Sequence, residues 1–217
     1  MNDLVARLSR LDSCAVSDAL DKLGLQGAVT GIQRFSTDRR IAGRIHTVKL
    51  DRAEGRATTR HLCTSAIEAA NPGDIIVVEQ RTGLDAASWG GNLSIGAKVR
   101  GVAGVIVEGP ARDIDDSRRL DFPVFARNAT ARTARGRIVE VATNEPITVG
   151  DFTVHPGDYV IADSSAVVFV SANEIERVLE TAAQIMAREE AMAQAIQAGN
   201  PISQVMGASY EHMLKKA

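Results

Sequence analysis

Arg112 and Asp113 stand side by side just after the apolar run "VAGVIVEG" (102–109), and Asp116 follows within a helical turn. Arginine offers a planar fork for a carboxylate or enolate oxygen. Aspartate offers a hard oxygen that suits Mg2+ or Mn2+, ions that hold on to water and need only one or two protein carboxylates. Upstream, "WGGN" (89–92) sets two glycines directly before a predicted helix. Glycine lets the backbone come close to a ligand, and the first N–H groups of a helix have no partner within it. With the helix dipole they form a seat for a carboxylate or phosphate. The combined chemistry is that of a small anionic substrate beside a metal ion. A plainer account covers the same residues: a tight Gly-Gly connection, and acids that complement a helix start while Arg112 pairs on the surface.

The elements around these residues decide whether they can meet. "IIVVE" (75–79) and "VAGVIVEG" read as short buried strands, and "NLSIGAKVRG" (92–101) between them as a helix. "ARDIDDSRRL" (111–120) reads as a short helical turn and "FPVFARN" (122–128) as a further strand. Strand and helix alternating in this way predict an α/β core with parallel pairing. Ligands in such sheets sit at the carboxyl ends of the strands, where Arg112 and Asp113 fall.

Before this core, 3–23 reads as helix, with Ser13 or Ser17 available to cap a second segment that Gly24 ends. "RIAGRIHTVKL" (40–50) has strand character, and "TRHLCTSAIEAA" (59–70) reads as a helix stopped by "NPGD". After it come short strands in "RIVEVA", "ITVGDFTVHPGDYVIAD" and "AVVFVS", then one amphipathic helix over 172–198 stopped by "GNP". Its apolar stripe, Ile175, Val178, Leu179, Ala182, Ile185 and Met186, calls for a packing partner. No internal repeat or linker divides the chain, so one domain over 1–217 is expected.

Composition excludes several classes. The 217 residues carry 45% hydrophobic and 24% charged side chains with a net charge of −2, ordinary for a soluble globular protein. That balance gives no basic surface for nucleic acid, and 4% aromatic residues give no stacking platform. No apolar run reaches the roughly 20 residues that span a bilayer, and the start lacks the apolar core of a signal peptide. Cys14 and Cys63 have neither metal-ligand spacing nor the density of a disulfide scaffold, so two reduced, mostly buried thiols in a cytoplasmic protein are expected.

Twenty residues separate Gly91 from Arg112, and two, Ile114 and Asp115, separate Asp113 from Asp116. This resembles the G-x20-R-D-x2-(E/D) signature of the regulator of ribonuclease activity A family. "AVSDALDKLGL", "AIEAANPGDIIVVE", "GVAGVIVEGPARD" and "VHPGDYVIADSSAVVFV" agree with it along nearly the whole chain. The family includes the class II aldolases acting on 4-hydroxy-4-methyl-2-oxoglutarate and 4-carboxy-4-hydroxy-2-oxoadipate, and members were once labelled demethylmenaquinone methyltransferases. The resemblance implies a β/β/α sandwich like a swivelling domain, with a long C-terminal helix. It implies that Asp113 holds Mg2+ or Mn2+ largely through water, and that Arg112 binds the keto oxygen and stabilises a pyruvate enolate. Backbone amides over Gly90, Gly91, Asn92 and Leu93 would cradle the pyruvate carboxylate. A homotrimer or dimer of trimers is implied, with a glutamate from a neighbour's C-terminal helix (Glu189 or Glu190) completing the site; the apolar stripe of that helix packs on its own domain or on a neighbour, and the resemblance favours the neighbour.

Gly91 departs from the pattern, because the best-known aldolases carry aspartate there and many relatives glutamate. An amide does not titrate, so Asn92 cannot replace that acid, and Asp116 is the carboxylate left for proton transfer. The expected activity is thus a lyase that releases pyruvate from a short 2-oxo diacid, by retro-aldol cleavage or by oxaloacetate decarboxylation. The alternatives are a non-enzymatic regulator of a ribonuclease complex and another keto-acid or sugar-acid activity on the same scaffold. His46, His61, His155 and His212 show no ligand spacing and read as ordinary histidines. Ser164–Ser165 lack a nucleophile elbow, Trp89 reads as core or pocket wall, and Asp158 as a turn residue.

Overall fold

Runs of Val, Ile and Ala set the framework, because strand side chains alternate between two faces and both faces here are covered. The structure, a computed structural model, describes residues 3–56 and 60–207. In chain order it forms α1 (Asp3–Leu8), α2 (Ser13–Leu23), β1 (Ala28–Val29), β2 (Gln33–Arg34), β3 (Ile41–Arg52), α3 (Thr64–Ala69) and β4 (Ile75–Gln80). Next come α4 (Gly91–Arg100), β5 (Gly104–Ala111), α5 (Ile114–Arg119), β6 (Val124–Ala129), β7 (Ile138–Thr143), β8 (Ile147–Val149) and β9 (Phe152–Val154). The chain closes with β10 (Tyr159–Ala162), β11 (Val167–Val170), α6 (Ile175–Gln197) and α7 (Ile202–Val205).

β3, β4, β5 and β6 are parallel neighbours, and β3 also pairs antiparallel with β10, which pairs with β11. The sheet curls, so that Ile75 and Val77 of β4 and Phe125 of β6 share one buried cluster with Val160 of β10 and Phe169 of β11. The β8–β9 hairpin contributes Ile147, Val149 and Val154 to that inner layer. The other face of β4–β6, through Ile76, Val78, Val105 and Val107, packs on Ala66 and Ile67 of α3 and Leu93 and Ala97 of α4. Tyr159, Ile161, Val168 and Val170 face outward from β10–β11 onto α1, α2 and α6. This is the expected α/β sandwich with its long C-terminal helix. Among the described residues no helix is long and apolar enough to cross a membrane.

Three local expectations are corrected. The second helical segment within 3–23 is present, but its cap is Asp12 in place of Ser13 or Ser17: Asp12 takes an extended conformation and its carboxylate accepts the Ala15 N–H at 2.8 Å. The apolar stripe of α6 packs on α1 and α2 of its own chain, so no neighbour is needed to cover it. Cys14 is exposed, while Cys63 is buried, and burial first and then Glu140 push its thiol well above the ordinary range. Gly24 does end α2, at φ 69.

Asp163 ties the hairpin of β10 and β11 to α2. Its oxygens accept the Ser13 N–H at 2.9 Å, the Ser13 hydroxyl at 2.7 Å and the Ser165 N–H at 2.9 Å. Burial acts to raise its carboxyl, but these hydrogen bonds prevail and hold it below the usual value. A depressed carboxyl stabilises the fold above its unfolded-state value and loses that contribution as pH falls through its folded one. Asp163→Asn should lower the denaturation midpoint at pH 7, with the gap to wild type closing below about pH 4 in a urea series.

Candidate functional site

β5 ends at Ala111, and the chain then turns back across the start of α4. Trp89 forms a parallel bridge with Ala111, and the Arg112 N–H donates to the Trp89 carbonyl at 2.9 Å. Trp89 is buried, stacks on Phe122 with ring centroids 6.2 Å apart, and donates its indole N–H to Ser94 Oγ at 2.9 Å. These contacts fix the two chemistry-bearing stretches beside each other.

Asp113 adopts a left-handed conformation, φ 55, uncommon outside glycine though better tolerated by aspartate than by most residues. Its Oδ2 accepts the Gly91 N–H at 3.0 Å and lies 3.3 Å from Arg112 Nε. The Asn92 and Leu93 N–H groups, in the first turn of α4, have no acceptor among the described residues. The helix thus presents unspent donors beside a guanidinium and a carboxylate.

The paired glycines have a steric reason. Gly90 is extended, φ −155, so its dihedral needs no glycine. A Cβ there would lie 2.8 Å from Asp113 Oδ2 and 3.4 Å from Arg112 Nε. A Cβ at Gly91 would lie 3.0 Å from Asp116 Oδ2 and 3.3 Å from the Asp113 Cβ. Space where an acid at position 91 would begin is therefore bounded by the Asp116 carboxylate.

Gly90, Gly91, Asn92, Leu93, Arg112 and Asp113 all line one cavity of about 90 Å3. Six of the site residues expected from sequence are thus brought together. Asp116 lines a neighbouring cleft that shares Arg112 and Asp113, and its Oδ1 pairs with Arg119. Glu189 is half-buried, and burial first, then Asp18 and Asp12, push its carboxyl upward. Glu190 is exposed, and neither glutamate lines this cavity.

The cavity also contains residues that the sequence did not mark as part of a site, among them His61, which it read as an ordinary histidine. His61 and Leu62 come from the approach to α3, and Thr133 and Ala134 from the loop between β6 and β7. Loop residues carry no periodic signal, so only the fold reveals them. Ser88 lines the cavity too, and its buried Oγ has no hydrogen-bond partner among the described residues. Of the other histidines, His46 Nε2 lies 3.0 Å from Asp74 Oδ2 in a structural contact, and His212 lies outside the described residues. Asp158 makes the expected turn, accepting the His155 and Ala172 N–H groups at 2.9 Å.

As a metal seat the region has a definite character. Among the described residues no three His, Cys, Asp or Glu side chains converge as ligands. Asp113 and the adjacent Asp116 are hard oxygen donors, a set that fits a largely hydrated Mg2+ or Mn2+ and not a closed zinc site.

Residues 13–169 match the family model for RraA-like proteins, described as aldolase/RraA. The chain belongs to this family. It is 30% identical over 198 residues to a Halalkalibacterium halodurans protein named "Putative 4-hydroxy-4-methyl-2-oxoglutarate aldolase", covering 89% of each chain. Protein DlpA of Legionella pneumophila is 26% identical over 204 residues, 94% of this chain and 33% of DlpA, so the chain spans a third of that relative. Among solved structures, an uncharacterized protein from Pseudomonas syringae pv. tomato matches with a TM-score of 0.86 at 26% identity, over 95% of this chain and 98% of that one. The RraA-like match includes the whole α4–β5–α5 region that builds the cavity.

Two glycines of α4 and its cap should respond oppositely to alanine. Gly90→Ala forces Asp113 and Arg112 apart and should destabilise by about 1–3 kcal/mol, as overpacking does. At Gly96 the nearest atom to an added Cβ is 4.0 Å away. Gly96→Ala should stabilise by roughly 0.5–1 kcal/mol through helix propensity. Denaturant unfolding of both variants checks the sign of each change.

Proposed function

We propose that this protein is a divalent-metal-dependent carbon–carbon lyase that releases pyruvate from a 2-oxo diacid. The observation that carries the reading is the convergence of the open Asn92 and Leu93 amides with Arg112 and Asp113 in one small cavity. The name of the halodurans relative supports the same reaction class.

In this reading the substrate carboxylate sits on the Asn92 and Leu93 N–H groups, where the dipole of α4 favours negative charge. Arg112 donates to the keto oxygen and offsets the charge that grows there as the bond to the departing fragment breaks. Asp113 holds the divalent ion, with Asp116 nearby, and such an ion supplies Lewis-acid polarisation of the keto group. The electron pair of the broken carbon–carbon bond becomes the pyruvate enolate, which a proton then converts to pyruvate. Oxaloacetate loses CO2 in that step. A 4-hydroxy substrate must also give up its hydroxyl proton, and Asp116 is assigned as the acceptor, through water. Gly91 supplies no acid, so decarboxylation should be the less demanding of the two reactions.

The assembly belongs to the same proposal. The reading places the protein in the cytoplasm as a homotrimer or dimer of trimers, acting on a small molecule. Glu189, half-buried, or Glu190, exposed, would then complete a neighbour's site from α6.

A panel of 2-oxo acids with Mg2+ or Mn2+, followed by pyruvate release, tests the reading directly. Turnover above the metal blank is expected, and its absence would leave a non-enzymatic binding protein. Asp113→Ala should lower metal-dependent turnover at least about 100-fold, in the range of a lost catalytic group. The same change removes the hydrogen bond to Gly91 and should cost about 1 kcal/mol of stability. Activity that survives Asp113→Ala at saturating metal would contradict the assigned role.

A further inference from the structure

The small cavity adjoins a larger one, of about 430 Å3, and His61, Leu62, Arg112, Thr133 and Ala134 line both. In the reading above, the substrate carboxylate lies on the α4 amides and the keto oxygen on Arg112. Arg112 borders both cavities, so the carbon next to the keto group falls where they meet. That carbon loses its bond to the departing fragment and ends as the methyl group of pyruvate. It must receive a proton there.

Few groups at this junction can supply one. Leu62 and Ala134 are apolar, a threonine hydroxyl is no acid or base near neutral pH, and an arginine keeps its proton. The walls of the two cavities also hold two carboxylates, and both are engaged. Asp113 accepts the Gly91 N–H at 3.0 Å and lies 3.3 Å from Arg112 Nε. Glu140 is turned inward, its side chain 2% exposed. One of its oxygens accepts the Cys63 N–H at 2.5 Å, and the other lies 3.0 Å from Arg60 and accepts the Thr143 hydroxyl.

His61 is left, and its hydrogen bonding sets its form. Nδ1 lies 3.0 Å from the Leu62 carbonyl oxygen. A carbonyl only accepts, so Nδ1 carries the hydrogen and the neutral ring has its lone pair on Nε2. Among the described residues Nε2 has no hydrogen-bonding or ion-pair partner. The side chain is exposed, so water can renew the Nε2 proton between turnovers.

We propose that His61 is a catalytic residue of this cavity, transferring a proton between water and the methyl carbon of pyruvate. This rests on the assignment of the 2-oxo acid end to the small cavity. In the cleavage direction the charged ring gives its Nε2 proton to the enolate carbon. The carbon–carbon double bond supplies the electron pair of the new C–H bond, and the keto group re-forms. Nε2 keeps a lone pair and regains a proton from water. In the reverse direction the neutral Nε2 takes a methyl proton from bound pyruvate and leaves the enolate. The hydroxyl proton of a 4-hydroxy substrate, assigned above to Asp116, is a separate transfer.

The reverse step gives the test. Deuterium entry into the methyl group of pyruvate is followed by proton NMR in D2O, on the full chain with Mg2+, and calorimetry reports pyruvate binding. The wild type should exchange the methyl protons faster than the metal blank. His61→Ala should still bind pyruvate and exchange it at least about 100-fold more slowly, the scale of a lost acid–base group. Added imidazole should restore part of that rate, which a structural role would not allow. His61→Gln, which keeps a polar side chain, should be as slow as His61→Ala. Exchange unchanged in either variant, a loss that imidazole does not relieve, or a loss of pyruvate binding with it would overturn the role of His61. So would a wild type that binds pyruvate without exchanging it, and each of these leaves the small cavity in place. Failure of pyruvate to bind the wild type would remove the assignment of the cavity itself.

Discussion

The hydrogen bond from the Gly91 amide to the Asp113 carboxylate organises the site. It joins the first turn of α4 to the end of β5, the two stretches to which the proposed chemistry is assigned. Asp113 makes it from a left-handed conformation that costs on the order of 1 kcal/mol for a residue with a side chain. Gly90 makes it sterically possible, since a Cβ would fall within 2.8 Å of the same oxygen. Backbone strain and a glycine tolerated for closeness are both expected where geometry is held for function.

The rest of the fold holds that contact still. β4, β5 and β6 are parallel and covered on both faces, so the carboxyl end of β5 is a rigid platform. Trp89 fastens the approach to α4 against it by its bridge to Ala111 and its stacking on Phe122. Ser94 receives the Trp89 N–H and shares a hydrogen bond of 2.9 Å with Ser117 of α5, closing a polar link beneath the cavity. Burial of these hydroxyls in pairs avoids the cost of leaving them unsatisfied.

Much of this was legible from sequence because it is local. A β-branched run ending in Arg-Asp, and paired glycines opening a helix, each state their geometry within a few residues. The α6 stripe was legible as apolar but not in its destination, because the sequence does not say that α1 and α2 lie beside it. The second segment within 3–23 was legible but its cap was not, since three candidate capping side chains stand close together and it is Asp12 that accepts the Ala15 amide. Ser88 and Thr133 were illegible because they reach the cavity from separate loops that only the curled sheet brings together, and His61, read as an ordinary histidine, joins them there.

A crystal structure of the protein soaked with Mn2+ and oxalate, a stable mimic of the pyruvate enolate, tests the central claim most directly. The account predicts anomalous density for Mn2+ at the Asp113 carboxylate and one oxalate carboxylate on the Asn92 and Leu93 amides, within reach of Arg112. Mn2+ seated elsewhere, for example among Asp12, Asp18 and Glu189, with the α4 amides left bare, would contradict it.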